Sequence, residues 1–308
     1  MKQSKEGAVL LSGATGLVGS ALIPKLLDRF ERVRALSRSG RDPLGGKIQG
    51  VDGIQWDGID PGREAVEETK AVIHLSGEPI FGGYPTAARM ERARTSRVDS
   101  TRRIVEHIAS LPLALRPRVF VCASAVGYYG DRGEERLDEE AAPGTGFLSQ
   151  LCQSWEAEAL KAEALEVRVV RVRIGVVLAE SGGALGMMRV PFSLGLGGRL
   201  GSGRRFFPWI HLDDLVEMIL WSLSHETSGA VNGVAPEAVR NIDLTKALGQ
   251  VLNRPAVIPV PAFALKAALG PLADELLGSR RVVPEKLVEA GYPFRYPTLV
   301  SALEDVLR

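Results

Sequence analysis

Two cysteines, four histidines and a formal net charge of +1 leave this 308-residue chain short of the features that usually announce a chemistry. Cys122 and Cys152 are too few for a disulfide framework or a four-cysteine zinc site. His74, His107, His211 and His225 lack ligand spacing, so no metal centre is expected. With 38 basic against 37 acidic residues, no charged footprint invites nucleic acid or an anionic membrane. No apolar run reaches the ~20 residues of a membrane span. The polar start, Met1 to Gly7, leads straight into an apolar stretch, so no secretory leader is expected either. These absences point to a soluble, cytoplasmic protein with a small-molecule partner.

What is present begins with Ser12-Gly13-Ala14-Thr15-Gly16-Leu17-Val18-Gly19, directly after the apolar run Ala8 to Leu11. The pattern predicts a strand, a glycine turn and a helix opening at about Leu17. Glycines let the backbone turn tightly and approach a ligand, and the free N–H groups of a helix start face negative charge. A glycine triad alone is a weak signal; placed between a short apolar strand and a helix it points to a bound pyrophosphate.

Strand and helix signals then alternate, which predicts an α/β fold: a doubly wound parallel sheet of the Rossmann type. Further strands are expected at Val33–Ser37, Ile54–Trp56, Ala71–Leu75, Pro117–Cys122 and Val167–Val172. One long helix is expected from about Thr86 to Ala109, and another from Leu148 to Leu165. Asp213 or Asp214 would cap a later helix, Ala230–Val234 would form a strand, and Asp243 would cap a helix running to Leu252. The organisation reads as a nucleotide-binding domain over 1–178 and a substrate-side segment over 179–253 that partly completes the sheet. A small helical domain over 254–308, punctuated by prolines, closes the chain.

The glycine motif, the run His74 to Ile80 and the run Ala123 to Asp131 resemble an extended short-chain dehydrogenase/reductase. Leu151 to Glu156, Leu194 to Gly203, Trp209 to Leu215 and Phe294 to Leu299 are similar to one atypical branch of it. That branch is the epimerase-family, or nucleoside-diphosphate-sugar-epimerase-like, group, which carries a small C-terminal domain of unknown function.

The resemblance implies a nicotinamide dinucleotide held by Gly13, Thr15, Gly16, Leu17, Val18 and Gly19. An acidic residue at the end of the second strand would select NAD; here Ser37 and Arg38 suit a 2′-phosphate, hence NADP. Leu75, Ser76 and Gly77 would pass beneath the adenosine ribose and pyrophosphate, and Val177 would line the nicotinamide pocket. Arg97 either reaches the cofactor or braces the floor of the site.

Ordinary members use a serine, a tyrosine and a lysine four residues after the tyrosine. Ser124 matches the serine, but Cys152 and Glu156 stand where tyrosine and lysine belong. Glu156 would hold ribose hydroxyls or serve structurally rather than act as an acid or base. Tyr128 or Tyr129 would then supply the proton, from the loop after Ser124. Arg199, Trp209 and His211 are expected at the substrate end, His211 either as a pocket acid or as a partner of Asp213 or Asp214. The function implied is an NADP-dependent oxidoreductase or epimerase on a nucleotide-sugar-like or other small carbonyl or alcohol substrate. Loss of the tyrosine–lysine pair keeps open a non-catalytic NADP(H)-binding sensor or scaffold. A homodimer through helices 86–109 and 148–165 is expected from the same resemblance.

Overall fold

The computed structural model describes residues 5–81, 83–270 and 272–307; Met1 to Ser4 of the expected polar start lie outside them. Seven parallel strands form the central sheet: β1 (Glu6–Ser12), β2 (Phe30–Ser37), β3 (Val51–Gln55), β4 (Thr69–His74), β5 (Val119–Ala125), β6 (Arg168–Ile174) and β7 (Gly229–Gly233). Their order across the sheet is β7-β6-β5-β4-β1-β2-β3. The chain leaves β1 towards β2 and β3, then returns to build outwards from β4. The reversal opens a crevice at the carboxyl ends of β1 and β4, where ligands of such sheets sit.

Strands buried on both faces must be apolar where they are buried, and Ala8–Leu11 of β1 are. Val9 and Leu11 enter the core beneath α1 (Leu17–Arg29), with Leu22, Ile23 and Leu26 of that helix. Leu10, pointing the other way, enters the core that also contains Phe120, Ile104, Ile108, Leu151 and Trp155.

The long helix expected over Thr86–Ala109 is two helices, α2 (Ala87–Thr95) and α3 (Val98–Ala109). The break has a physical cause. Ser96 Oγ accepts the Glu78 N–H at 2.9 Å, and Arg97 Nη1 donates to the carbonyls of Glu78 at 2.9 Å and Ala93 at 3.1 Å. Both residues serve the loop after β4 instead of continuing the helix. Farther on, α4 (Phe147–Leu160) ends before Leu165, which lies in a short 3₁₀ turn.

Beyond the sheet follow α5 (Gly183–Ser193), α6 (Leu212–Ser224), α7 (Asn241–Leu252) and α8 (Leu299–Leu307). The cap of α6 is neither aspartate: His211 Nδ1 accepts the Asp213 N–H at 3.1 Å. Asp214 is buried instead and accepts the N–H groups of Arg295 at 2.7 Å and Tyr296 at 2.9 Å. Asp243 lies inside α7, where it accepts the Arg240 N–H at 2.9 Å. The C-terminal region adds helices at Ala262–Leu269, Leu272–Leu277 and Glu285–Glu289, with Pro271 outside the described residues. It is joined to the main body by pairing of Val282 with Leu137. Its core also contains Trp209, Leu244, Leu248, Leu299 and Leu303.

Among the described residues no helix is long and apolar enough to cross a membrane, and no group of His, Cys, Asp or Glu is placed to hold a metal ion. The outer surface of α2, α3 and α4 exposes no large apolar side chain and carries ion pairs such as Arg94–Asp99 and Arg102–Glu158.

Asp214 joins α6 to the C-terminal region through charge-assisted hydrogen bonds, each worth about 1.5–3 kcal/mol. Asp214→Ala should lower the unfolding free energy by about 2–3 kcal/mol in urea titrations. It should also expose residues 254–298 to limited proteolysis; an unchanged digestion pattern would refute this anchoring role.

Candidate functional site

The turn after β1 is built around close backbone approach. Gly13 has φ +73°, and a Cβ there would lie 2.8 Å from the Leu75 carbonyl carbon. A Cβ on Gly19 would lie 2.2 Å from Gly13 O, so α1 begins pressed against the turn. No side chain caps α1 and its first turn has no acidic residue. The positive end of the helix dipole is left for an anion.

A buried relay fixes the opposite wall. Ser12 Oγ accepts N–H groups from Leu75 at 3.1 Å and Ser76 at 3.3 Å, and lies 2.6 Å from His74 Nδ1. With its lone pairs so engaged, the hydroxyl donates to Nδ1, which puts the His74 proton on Nε2. That nitrogen donates to Ser100 Oγ at 3.1 Å, and Ser100 donates on to the Ser96 carbonyl at 2.8 Å. Burial, followed by the charge of Arg97, pushes the His74 pKa down to about 3. The ring is neutral at any ordinary pH.

Between these walls runs a cleft with two lobes. The first, about 470 Å³, is lined by Gly13, Thr15, Gly16, Ser37, Arg38, Leu75, Ser76 and Gly77, as expected from the sequence, and also by Trp56, Asp57 and Glu78. The second, about 380 Å³, is lined by Gly13, Gly16, Leu17, Val18, Gly19, Leu75 and Val177, together with Ile174, Gly183 and Ala184. Trp56 follows β3 and Ile174 ends β6, so accurate strand ends would have found them. Arg97 lines neither lobe but packs under Gly77: a Cβ there would lie 2.6 Å from its guanidinium carbon.

Arg38 is exposed and has no hydrogen bond or ion pair among the described residues. The nearby acids are otherwise engaged. Asp57 accepts N–H groups of Ile59 and Asp60 at 2.7 and 2.9 Å, while Asp60 binds Arg103 and His107. Ser37 Oγ donates to the Arg41 carbonyl at 3.0 Å, which leaves its lone pairs free.

At the end of β5 the arrangement departs from expectation. Glu156 is 3% exposed and saturated. It accepts the Ser124 hydroxyl at 2.7 Å, Arg173 through Nε at 2.9 Å and Nη2 at 3.0 Å, and Arg171 at 2.8 Å. No lone pair is turned to the cleft: of the two roles expected, ribose contact or a structural part, the geometry supports the structural one, a buried electrostatic clamp, and leaves no room for acid–base work. Tyr129 is also corrected. It is fully buried, with its hydroxyl 2.9 Å from the Asp138 carbonyl, 2.7 Å from Asn232 Oδ1 and accepting from Arg173 at 2.9 Å. Burial pushes its pKa up to about 12. Tyr128 differs: it is half-buried, lies flat against the Arg173 guanidinium at 3.5 Å, and its hydroxyl bonds to none of the described residues. Cys152 is buried, and desolvation together with the Glu156 charge pushes its thiol up to about 11.

The three substrate-end residues do not converge. Trp209 is 1% exposed, donates to the Glu237 carbonyl at 3.1 Å and has no face for a ligand. His211 is buried as the α6 cap, stacked on Tyr296 at 3.8 Å. Its Nε2 comes within 3.2 Å of Asp305 without hydrogen-bond alignment, so its partners are not the Asp213 and Asp214 carboxylates. Arg199 is exposed and turned onto its own loop, donating to the carbonyls of Ser202 at 2.8 Å and Gly201 at 3.3 Å.

Comparison with known proteins agrees with this geometry. Residues 9–235 match the model of the NAD dependent epimerase/dehydratase family, and residues 260–306 match a domain of unknown function, DUF1731. The chloroplastic epimerase family protein SDR39U1 homologue of Arabidopsis thaliana is 37% identical over 309 residues, covering 100% of this chain and 88% of its own. An epimerase family protein of Mycobacterium leprae is 36% identical over 304 residues, covering 97% and 95%. The crystal structure of human epimerase family protein SDR39U1 (isoform 2) with NADPH superposes with a TM-score of 0.84 at 32% identity, covering 97% of this chain and 98% of that one.

Two outcomes follow from the buried groups. Glu156→Ala leaves two guanidinium groups without their anion and should cost about 3–5 kcal/mol in urea unfolding, far more than Ser124→Ala. Equal costs would refute the clamp. His74 is neutral when folded but binds a proton below about 6.5 when unfolded. Its folded pKa of about 3 is therefore depressed, and its contribution, fully present above pH 6.5, is lost as pH falls towards 3. Stability measured across that window should fall more steeply for the wild type than for His74→Gln; parallel profiles would refute it.

Proposed function

The chain belongs to the NAD dependent epimerase/dehydratase family, and from that membership we propose that it binds NADP(H) and acts as an oxidoreductase or epimerase on a small carbonyl or alcohol substrate. One observation carries the choice of cofactor: an unpaired guanidinium, Arg38, stands at the end of β2 in the same cleft as an uncapped helix start. A fork of N–H donors suits a 2′-phosphate, whereas an acid there would repel it. The structural neighbour that contains NADPH supports the same choice.

The residues fit the group throughout. The amides of Leu17, Val18 and Gly19 head α1 and would meet the pyrophosphate, with Gly13 giving the backbone room. Thr15, Gly16, Ser76 and Gly77 would border the adenosine ribose, and Ser37 would offer its lone pairs to it. Val177 and Ile174 would flank the nicotinamide, which when bound supplies hydride chemistry. Arg97 is a half-buried guanidinium without a carboxylate partner among the described residues, held by two carbonyls under Gly77, and would add positive potential beneath the ribose.

Ser124 is 3% exposed and gives its proton to Glu156, so the lone pairs of its oxygen are what a substrate reaching it would meet. It is set to accept a hydrogen bond from an alcohol, and would polarise a carbonyl only after its hydroxyl turned away from Glu156. Tyr128, the phenol of this loop with an unengaged hydroxyl, is the residue to pass the proton. A second reading, a non-catalytic NADP(H)-binding sensor or scaffold, is favoured by the locked Tyr129 and the saturated Glu156.

Fluorescence titration with NADPH and NADH tests the proposal. NADPH should bind more tightly than NADH, and Arg38→Ala should weaken NADPH about 10- to 100-fold while leaving NADH nearly unchanged. Equal affinity for the two nucleotides would overturn the NADP assignment, and binding of neither would overturn the oxidoreductase reading.

A further inference from the structure

Helix α5 is apolar on two opposite faces. Leu185, Met188 and Phe192 turn inwards to the C-terminal core. Met187, Val190 and Leu194 face solvent at 68%, 65% and 68% exposure. A surface helix with one face in the core ordinarily shows polar residues on the other, and the only charge on α5 is Arg189.

The exposed stripe starts at the cofactor cleft. Gly183 lines the second lobe, and residues 183, 187, 190 and 194 follow at the i, i+4, i+7, i+11 spacing of one helix face. The apolar surface then continues across the chain. Leu196 is exposed beside Val257 and Ile258, where the Ile258 N–H donates to the Gly197 carbonyl at 3.2 Å and Arg254 donates to the Ser193 carbonyl at 3.0 Å. From residue 183 to residue 194 the stripe extends about 16 Å.

The neighbouring arginines are poorly placed for a sugar diphosphate. Arg199 is bound to carbonyls of its own loop, Arg205 to Asp131 at 3.0 Å, Arg240 to Glu134 at 2.6 Å and Arg280 to Glu275 at 2.5 Å. Arg204 is the one guanidinium of the 199–205 loop without such a partner among the described residues.

We propose that the substrate is an apolar alcohol or carbonyl compound whose hydrocarbon tail leaves the nicotinamide lobe along the exposed face of α5. The proposal rests on the reading of the cleft as a nicotinamide site, and it selects among the substrates that reading allows. Continuity between stripe and cleft is what favours a substrate tail over a partner protein or a lipid surface as the occupant.

Straight-chain alcohols from hexanol to decanol, titrated calorimetrically onto the full chain with and without saturating NADPH, test it. Affinity should rise about two- to fourfold for each added methylene. Met187→Gln and Val190→Asn should flatten that dependence, whereas Val300→Asn, at another exposed aliphatic position, should leave it unchanged. Several results would overturn the proposal: affinity independent of chain length, binding of uridine diphosphate glucose in place of the alcohols, or a dimer in light scattering that Met187→Gln disperses. Loss of a vesicle-bound fraction in the same variant would overturn it too. Failure of NADPH to bind would sink the cofactor reading separately, since the alcohol titration without nucleotide reads the stripe alone.

Discussion

The approach of Gly13 to the backbone of Leu75 is the constraint on which the cleft depends. With less than a methyl group of space between them, the turn after β1 and the loop after β4 lie in contact at the floor of the crevice. Everything beside the contact serves to hold it. Ser12 binds both amides of the opposing loop, and His74 carries the same chain of hydrogen bonds across to Ser100 on α3. Because that chain passes through a buried neutral imidazole, the wall of the site is tied to a proton balance. Because Ser96 and Arg97 are recruited to the same loop, the helix behind it has to break.

A second buried network gives the floor of the site its character. Arg171 and Arg173 stand two apart on β6 and so point to the same side of the sheet. Charges there need an anion, and α4 presents Glu156. The pair is extended to Ser124, Tyr129 and, through Asn232, to the Val283 carbonyl of the C-terminal region. Ser124 and the C-terminal region are thus parts of one polar structure. A buried network of this kind is costly when half satisfied; here the Glu156 carboxylate is filled, while Arg171 Nε is buried without a hydrogen bond among the described residues.

The cofactor end was legible in the sequence because its requirements are backbone requirements. A positive φ at residue 13, a close helix start at residue 19 and the absence of a capping side chain are all consequences of glycine, and glycine is visible as a letter. The end of the site around Ser124 and the tyrosines was less legible because its roles are set by side-chain partners far apart in the chain. Tyr128 and Tyr129 are adjacent in sequence, yet one hydroxyl is free and the other is enclosed by Asp138, Asn232 and Arg173. A signal for Glu156 was present: two arginines at alternate positions of a buried strand require a carboxylate. Trp209 and His211 read as site residues from their motif, but the motif places them on a segment whose inner face the C-terminal helices cover.

Arg173 links what remains of the chemistry. The same guanidinium clamps Glu156, donates to Tyr129 and lies flat under the ring of Tyr128. A cation against the face of a phenol is attracted to the ring's π-electrons, and this contact leaves the Tyr128 hydroxyl unoccupied. In ordinary relatives the resemblance assigns the cation beside the phenol to a lysine on α4, four residues after the tyrosine. Here α4 carries a carboxylate at that position, Glu156. The two arginines of β6 compensate its charge, and the cation against the phenol comes from the sheet rather than from the helix. The substitution of glutamate for lysine is therefore coherent only together with Arg171 and Arg173. Chemistry in this chain has to be read from the three residues as a unit.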